Sequence, residues 1–270
     1  MTNDILLSAR NLSVRFGGVM AVNDVSFDVR RGEVFTLIGP NGAGKTTVFN
    51  LISRIYTPTA GEIDYAGPEG MLKLTVQPPH RVARLGIART FQNIELFEHA
   101  SVLANLLIGR HTHRQTGLWS ELLFTPATRR AEVAAREKVE QVIELLDLQH
   151  YRDTMVAGLP YGVRKVVELA RALCAEPRLL LLDEPSSGLN VEETDDMAFW
   201  IQDIVHELGV TVLMVEHDMG LVAKVSDRVV AMNQGQVLAT GTPAEVQADP
   251  GVVEAYLGSI DDVSSLRRPA

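Results

Sequence analysis

The chain of 270 residues is 46% apolar and 22% charged, which is ordinary for a globular protein with a sizeable core. No stretch approaches the roughly 18 to 20 consecutive apolar residues that span a bilayer. Residues 1–10 lack a secretory signal, so we expect a cytoplasmic protein. A single cysteine, Cys174, suits a reducing compartment, and we expect it to be a small core residue. The net charge of −9 is concentrated in residues 176–270, with 5 basic and 17 acidic side chains. This acidity argues against a nucleic-acid surface there, because phosphate contacts need Lys and Arg.

The first forty residues predict β-strands. Leu6–Phe16 and Val25–Val29 are strand-like runs, separated by turn residues such as Gly17–Gly18. Val34–Ile38 is a short apolar run that ends in Gly-Pro, a pattern typical of a strand buried on both faces of a sheet. After a glycine-rich segment, apolar residues recur with the spacing of one helix face at Val48, Leu51, Ile52 and Ile55.

Helical periodicity dominates between about Ser101 and Ala175, where the strand signal is weak. One stretch has helical apolar spacing at Val139, Val142, Ile143 and Leu146. A second has it at Val163, Val166, Val167, Ala170, Leu173 and Cys174. Upstream of both, Arg110–Pro126 predicts an irregular insertion, because it carries aromatic and turn residues without periodicity.

Strands return in the last third of the chain. We predict strands at Leu179–Leu182 and Val210–Val215, and a hairpin that joins Val229–Met232 to Val237–Ala239. Residues 242–245 read Thr-Pro-Ala-Glu, a capping box with proline at the first helical position, which predicts a short final helix. The order of strands, helices and strands indicates one α/β core with a helical subdomain inserted at about residues 95–175.

Residues 39–46 read Gly-Pro-Asn-Gly-Ala-Gly-Lys-Thr and match the phosphate-binding pattern G-x-x-x-x-G-K-[ST]. The glycines let backbone N–H groups surround a polyphosphate, and the following helix presents its positive N-terminal end. In this pattern Lys45 reaches the β- and γ-phosphates and the Thr46 hydroxyl binds Mg²⁺. We therefore predict an ATP site formed by Gly39, Pro40, Asn41, Gly42, Ala43, Gly44, Lys45 and Thr46.

Acidic residues stand at the end of a second buried strand, where four leucines precede Asp183 and Glu184. Ligands bind at the carboxyl ends of strands in open α/β sheets. We predict that Asp183 holds Mg²⁺ through water and that Glu184 polarises the attacking water as the general base. Two adjacent acids could instead form a solvated turn, but the phosphate loop upstream favours catalysis. His217 follows Val210–Val215 at the same edge, so we predict a γ-phosphate contact, with a merely exposed histidine as the alternative.

These segments, in this order, resemble the ATP-binding cassette (ABC) ATPase family over about residues 5–257, with residues 258–270 as a tail. The resemblance implies a P-loop NTPase core with an N-terminal antiparallel β-subdomain and an inserted α-helical subdomain. It also implies that Gly39–Thr47 is the Walker A motif, Leu179–Glu184 the Walker B motif and His217 the switch histidine.

The resemblance implies further site residues. Gln92 occupies the Q-loop position, where it would contact the nucleotide and the metal, and Phe16 stands where the family stacks an aromatic ring on adenine. Tyr161 and Gly162 lie in the family signature, which binds the γ-phosphate of ATP held by the opposite subunit. The D-loop would add cross-subunit contacts from Gly188, Leu189 and Asn190.

The sequence departs from the family signature at two positions. Pro160 replaces the usual serine and removes a hydroxyl donor to the γ-phosphate, although the subfamily described next commonly lacks that serine. Val163 replaces the glutamine that normally follows Tyr161 and Gly162.

Within this family, the chain is similar to the larger ATP-binding subunit of bacterial branched-chain amino acid importers. The similarity lies in the insertion around residues 125–130, in Tyr161–Gly162, in Glu168–Arg171, in Glu216–Met219 and in Ala255–Gly258. It implies a peripheral ATPase at the cytoplasmic face of the inner membrane, paired with an identical subunit or a paralogue. A membrane permease would dock on Gln92–His99, and a periplasmic solute-binding protein would act indirectly.

Other functions stay open at this point. The apolar residues Ile94, Leu96 and Phe97 of the docking segment could be core instead. Exporters of lipid or polysaccharide look similar but would lack the insertion at Arg110–Arg130. A non-transport ABC ATPase that acts on ribosomes or DNA, or a regulatory module that holds ATP without hydrolysis, is a further alternative.

Overall fold

The computed structural model describes residues 4–91, 94–113 and 126–256. Gln92, most of the insertion predicted at Arg110–Pro126 and the tail at 258–270 therefore lie outside the described residues. Within the described ranges, no helix is both long and apolar enough to cross a membrane.

The structure alternates strands and helices. The strands are β1 (Ile5–Phe16), β2 (Val19–Arg30), β3 (Val34–Ile38), β4 (Ala60–Gly67), β5 (Gly70–Lys73), β6 (Ile87–Arg89), β7 (Leu179–Asp183), β8 (Thr211–Val215), β9 (Arg228–Asn233) and β10 (Gln236–Gly241). The α-helices are α1 (Lys45–Ile52), α2 (Val102–Gly109), α3 (Pro126–Leu145), α4 (Tyr161–Leu173), α5 (Val191–His206), α6 (Met219–Val225) and α7 (Pro243–Ala248). Residues 250–256 are also helical.

Four strands form an antiparallel sheet in the order β2-β1-β4-β5. The strand predicted at Leu6–Phe16 is confirmed. Its partner was predicted too short, because β2 begins at Val19, which pairs with Phe16 across the turn, and not at Val25. The turn residues Gly17–Gly18 therefore close a hairpin between two long strands.

Six strands form the second sheet in the order β10-β9-β3-β8-β7-β6, in which only the edge pair β10–β9 is antiparallel. The strands predicted at Val34–Ile38, Leu179–Leu182 and Val210–Val215, and the final hairpin, are confirmed to within a residue or two. Because β3, β6, β7 and β8 run parallel, their carboxyl ends meet at one edge of the sheet. The predicted ATP site lies at this edge.

The strands β3, β7 and β8 of the second sheet are buried on both faces, as their apolar runs indicate. Leu179 and Leu181 of β7 pack with the antiparallel sheet and α1, whereas Leu180 and Leu182 pack with the helices on the other side. Successive side chains of a strand point to opposite faces, so one four-leucine run joins two hydrophobic cores. This burial fixes the edge where Asp183 emerges.

The helical elements follow the predicted periodicity with one exception. Val167, Ala170 and Leu173 of α4 are buried among the other helices, and the capping box at Thr242 begins α7 as expected. Helix α1, however, ends at Ile52, and Ile55 is 54% exposed beyond it. The prediction that Ile55 extends the buried helix face was wrong, because the chain leaves the helix at Ser53.

Candidate functional site

The loop between β3 and α1 is shaped by glycine and by close backbone neighbours. Gly39 has a φ of 147°, and a Cβ at this position would lie 2.1 Å from the carbonyl oxygen of Met232. Only glycine allows this approach. The loop is also tied to the β9–β10 hairpin, since the Gly235 N–H donates to the Ala43 carbonyl at 3.0 Å. The resulting cradle is held from outside, which leaves its inner side available to a ligand.

Lys45 is the first residue of α1, and it is buried. Its ammonium donates to the carbonyl oxygens of Gly39 at 2.7 Å and Pro40 at 3.1 Å, so it lies folded along the loop. Burial lowers the pKa of Lys45, and the charges of Glu184 and Asp183 oppose that shift. No side chain caps α1 and its first turn holds no acidic residue, so the helix N-terminus can attract an anion.

Asp183 ends β7 and is buried. Its Oδ2 accepts a hydrogen bond from Arg89 Nη2 at 2.7 Å, and its backbone N–H donates to the Thr90 hydroxyl at 3.3 Å. Arg89 ends the neighbouring strand β6, so strand pairing brings the two charges together. A buried carboxylate needs such a partner, because an unpaired charge is costly away from water.

Glu184 follows Asp183 in a left-handed backbone conformation, with a φ of 50°. Such a conformation costs a non-glycine residue about 1–3 kcal/mol and persists only where surrounding contacts hold it. The Glu184 N–H donates to Val215 O at 2.9 Å, and its carbonyl accepts from Ser187 N at 3.1 Å and from Lys165 Nζ at 2.8 Å. The half-buried carboxylate is therefore carried on a backbone fixed from three sides.

Glu216 and His217 follow β8 at the same edge. Glu216 is fully buried, and its carboxylate accepts from Ser186 N at 2.9 Å, Ser186 Oγ at 2.6 Å, His217 N at 2.7 Å and Asp218 N at 3.1 Å. The His217 ring is exposed, with Nδ1 3.6 Å from Glu216 Oε2. Glu216 thus joins the backbone around His217 to the segment that follows Glu184.

The predicted signature and D-loop pack against each other within the chain. A Cβ on Gly162 would lie 2.2 Å from Glu193 Oε1, and Tyr161 Oη donates to Ser187 O at 3.4 Å. Asn190 has a structural role, since it caps α5 in a reciprocal capping box with Glu193. At the start of α4, Pro160 provides no capping side chain. The N-terminus of α4 therefore remains suited to an anion.

Other predicted site residues lie in different surroundings. Phe16 is exposed at the end of β1 and contacts Tyr56 edge to face, with ring centroids 4.9 Å apart. Thr46 is exposed and Thr47 half-buried in the first turn of α1. Val163, which stands where the family has glutamine, packs against the apolar cluster of the helices, and Leu189 packs against it too. Gln92 lies outside the described residues.

The structure adds site residues that sequence reasoning missed: Arg89, Lys165, Glu216 and Tyr256. Glu216 follows the apolar strand β8, which is a usable signal. Arg89 ends a strand of only three residues that shows no period, and Lys165 sits inside a helical pattern that gives no indication of its partner. Burial raises the pKa of Tyr256, and a hydrogen bond with the Gly39 backbone opposes the shift. The helical segment at residues 250–256 thus reaches the phosphate-binding loop.

Comparison with protein families identifies the arrangement. The family model described as "ABC transporter" matches residues 22–187, which include the glycine loop and the Asp183–Glu184 pair. The chain belongs to the ABC transporter family. It is an ABC ATPase, with the fold expected of one. A second model, "Branched-chain amino acid ATP-binding cassette transporter", matches residues 236–262 of this ABC ATPase.

Curated relatives of this ABC ATPase match it almost end to end. The high-affinity branched-chain amino acid transport ATP-binding protein BraF of Pseudomonas aeruginosa is 44% identical over 253 residues, covering 94% of this chain and 98% of BraF. The corresponding LivG proteins of Salmonella typhimurium and Escherichia coli are 43% and 42% identical over 255 residues, with the same coverage.

Solved structures place the ABC ATPase among cassettes of the same fold. The ADP conformation of an ATP-binding cassette of an ABC transporter superposes with a TM-score of 0.80 at 30% identity, covering 94% of this chain and 99% of that one. A nucleotide-free cassette from an ABC transporter superposes with a TM-score of 0.79 at 30% identity. The similarity extends over 93% of this chain and 98% of that cassette.

Proposed function

We propose that this chain is the ATP-hydrolysing subunit of an importer for branched-chain amino acids or related small solutes. One observation carries the proposal: buried Lys45 lies along the glycine loop within the electrostatic influence of Asp183 and Glu184. A lysine for phosphate, a carboxylate for metal and a carboxylate for water therefore share one sheet edge. The relatives named for branched-chain amino acid transport support the solute class.

The nucleotide site follows from the loop and the helix. The glycine loop and the N-terminus of α1 offer N–H groups to the phosphates, and Lys45 would exchange its bonds to Gly39 and Pro40 for phosphate oxygens. Phe16 would stack on adenine. Lys45→Ala should therefore abolish nucleotide affinity in a fluorescence titration, whereas Lys224→Ala, an exposed lysine on α6, should bind as the wild type does. A normal dissociation constant in Lys45→Ala would refute the site.

Magnesium fits the residues beside this loop. Asp183 is a buried carboxylate next to a helix that begins with Lys45 and Thr46, and Mg²⁺ prefers one or two such oxygen ligands together with phosphates. Among the described residues, no group of three or more His, Cys, Asp or Glu could hold a metal ion, so the ion would bind with the nucleotide. Asp183, Thr46 and Gln92 are the proposed protein ligands. When bound, Mg²⁺ neutralises charge on the phosphates.

Hydrolysis is assigned to Glu184 as the general base, with His217 contacting the γ-phosphate. The fixed backbone of Glu184 holds its carboxylate near the loop, and Glu216 fixes the backbone of His217. Glu184→Gln should bind ATP normally, slow hydrolysis at least about 100-fold and accumulate as an ATP-bound dimer. Turnover at the wild-type rate would exclude Glu184 as the base.

Two subunits would enclose two ATP molecules. The N-terminus of α4, with Tyr161 and Gly162, would bind the γ-phosphate held by the opposite subunit, and Gly188–Asn190 would complete the contact. The packing of Tyr161 against Ser187 supports this assignment, because it joins both segments into one surface. The partner can be an identical subunit or a paralogue. Glu184→Gln, which should hold the ATP-bound dimer, is mixed with the purified paralogue, and the mass of the dimer shows which pair forms.

The permease surface is proposed at residues 92–99, on the cytoplasmic face of the membrane. Phe97 is 58% exposed, yet its backbone is clamped: Phe97 N donates to Asn105 Oδ1 at 2.8 Å, and Asn105 Nδ2 donates to Phe97 O at 3.0 Å. Arg171 Nη1 holds the carbonyl of Glu95 at 2.6 Å. An apolar side chain presented on a rigid backbone suits a partner's helix.

The docking surface is tested by Phe97→Ala, with Val191→Ala as the matched exposed apolar control. Phe97→Ala should leave the hydrolysis rate of the isolated subunit unchanged and reduce its co-purification with the permease subunits. Equal co-purification of wild type and Phe97→Ala would show that Phe97 does not contribute to permease binding. The solute is tested by reconstituting the complex and measuring hydrolysis stimulated by a binding protein loaded with leucine, isoleucine or valine.

A further inference from the structure

Two charged side chains of helix α4 are buried in the protein interior. Lys165 is 5% exposed and Glu168 is 3% exposed. They are three residues apart, so they lie on the same face of the helix, which is the face toward β7. Interior charges are costly unless they are paired or hydrogen-bonded, so their partners indicate their role.

Lys165 contacts the backbone of the proposed general base. Its ammonium donates to the Glu184 carbonyl oxygen at 2.8 Å, and the Ser187 N–H donates to the same oxygen at 3.1 Å. Glu184 is one of seven non-glycine residues with a positive φ in the described part of the chain. Lys165 therefore supplies a charged hydrogen bond to a peptide group whose backbone is in a costly left-handed conformation.

Glu168 contacts the segment on the other side of the site. Its Oε1 accepts from the Phe91 N–H at 3.1 Å, and Phe91 directly precedes Gln92. One turn of α4 thus binds the backbone of both segments that end at the proposed catalytic edge. The same helix begins at Tyr161, in the proposed contact with the partner's ATP.

Lys165 has little room for water beside it. Lys165, Glu168 and Asp183 line one small cavity of about 10 Å³, which is close to the volume that a single water molecule needs. Burial lowers the pKa of Lys165, and the carboxylates of Glu168, Glu216, Glu184 and Asp183 oppose that shift. The ammonium is therefore committed to the Glu184 carbonyl and to the negative charge around it.

We propose that Lys165 is a positioning residue for hydrolysis, which holds the left-handed backbone of Glu184 so that its carboxylate faces the attacking water. The inference rests on the proposed role of Glu184 as the general base. Glu168 anchors the Phe91 backbone from the same helix turn, so a displacement of α4 at Tyr161 shifts both segments together. A movement of α4 caused by its contact with the partner's ATP would thus be transmitted to Glu184 through Lys165.

The test compares Lys165→Met with Lys165→Arg. A single charged hydrogen bond corresponds to about 10- to 100-fold in rate, so Lys165→Met should lower kcat about tenfold or more. Its ATP KM and its dissociation constant for a non-hydrolysable ATP analogue should stay within about twofold of wild type, because the Lys165 ammonium bonds to the Glu184 carbonyl, outside the predicted phosphate loop. Lys165→Arg should recover most of kcat, since a guanidinium can donate to the same carbonyl.

Matched variants separate positioning from folding. Lys138→Met, an exposed lysine on α3 of the same helical region, should leave kcat unchanged. In a Glu184→Gln background, Lys165→Met should slow hydrolysis no further, because residues that act through one group are not additive. Wild-type kcat in Lys165→Met, a loss confined to KM, or an additive loss in the double variant would overturn the proposal.

The outcomes also distinguish this proposal from the proposed function. Wild-type turnover in Glu184→Gln would contradict the assignment of Glu184 as the general base. Slow turnover in Glu184→Gln together with wild-type turnover in Lys165→Met would contradict only the positioning role of Lys165. If Lys165→Met does not fold, Lys165→Gln replaces it, because its amide still donates a neutral hydrogen bond. At equal analogue affinity, kcat should then fall in the order Lys, Arg, Gln at this position, and equal rates would overturn the proposal.

Discussion

Arg89 Nη2 donates to Asp183 Oδ2 at 2.7 Å, so the carboxylate proposed for magnesium is already paired with a cation of its own chain. The same guanidinium donates from Nη1 to Asn50 Oδ1 at 2.7 Å and to Ser53 Oγ at 3.2 Å, and it lies 5.5 Å from the Phe49 ring centroid. Arg89 therefore joins the end of β6 and the helix after the phosphate loop to Asp183. Its charge balances Asp183 before any nucleotide binds.

Arg89→Met should lower the free energy of unfolding by about 3–5 kcal/mol, because it leaves a buried carboxylate without its partner. Chemical denaturation of the nucleotide-free protein measures this loss. The double variant Arg89→Met/Asp183→Asn should be more stable than Arg89→Met alone, since the unpaired charge is gone. Additive losses would show that the ion pair contributes nothing beyond packing.

Magnesium and ADP together should stabilise Arg89→Met more than they stabilise the wild type. In the variant, the bound Mg²⁺ replaces the positive partner that the Asp183 carboxylate has lost, whereas in the wild type Arg89 already neutralises this carboxylate. The measurement is the shift of the denaturation midpoint at saturating ligand. Equal shifts would mean that Asp183 does not interact with the metal.

Glu216→Gln should lower the free energy of unfolding by about 2–4 kcal/mol. Each Glu216 oxygen accepts two donors, so an amide NH₂ at either position faces N–H or O–H groups and leaves buried donors unsatisfied. Hydrolysis should fall as well, because Glu216 fixes the backbone of His217. Glu207→Gln, an exposed glutamate at the end of α5, is the control and should change neither quantity. A Glu216→Gln variant as stable as the control would contradict the network.

The parts of this fold that could be predicted are those where one local pattern dominates. The apolar runs of β3 and β7 and the glycine loop between β3 and α1 are such patterns, and they define the sheet edge. Strand β4 was missed because Ala60–Gly67 mixes glycine, acidic and apolar residues, and β6 because three residues carry no period. Pairing of Arg89 with Asp183 depends on β6 lying beside β7, which tertiary packing decides.

The aromatic pair at the end of β1 gives a prediction for adenine binding. If Phe16 stacks on the base, Phe16→Ala should weaken ATP binding by about 1–3 kcal/mol, as stacking platforms for nucleic-acid bases do. Tyr56→Ala removes only the edge contact on Phe16 and should cost less, about 0.5–1.5 kcal/mol. Titration with a fluorescent ATP analogue measures both. Wild-type affinity in Phe16→Ala would return Phe16 to a packing role.

Cys174 gives a prediction for alkaline pH. Burial raises the pKa of its thiol from 9.0 to about 12, so between these values the unfolded chain loses a proton that the folded chain keeps. The folded-state pKa is the higher one, so the stabilisation is complete below pH 9 and is lost as pH rises toward 12. Between about pH 8 and 10.5 the loss from this one group is about 2 kcal/mol, since each pKa unit corresponds to about 1.4 kcal/mol.

The measurement compares urea denaturation of the wild type and Cys174→Ala at both pH values. Tyrosine and lysine titrate in both proteins, so the difference between them isolates the thiol. The wild type should lose about 2 kcal/mol more than Cys174→Ala on going from the lower to the higher pH. Native protein should also react with iodoacetamide far more slowly than urea-unfolded protein at pH 9, because the buried thiol stays protonated. Equal losses in the two proteins, together with rapid alkylation of the native chain, would show that Cys174 is accessible and ionises normally.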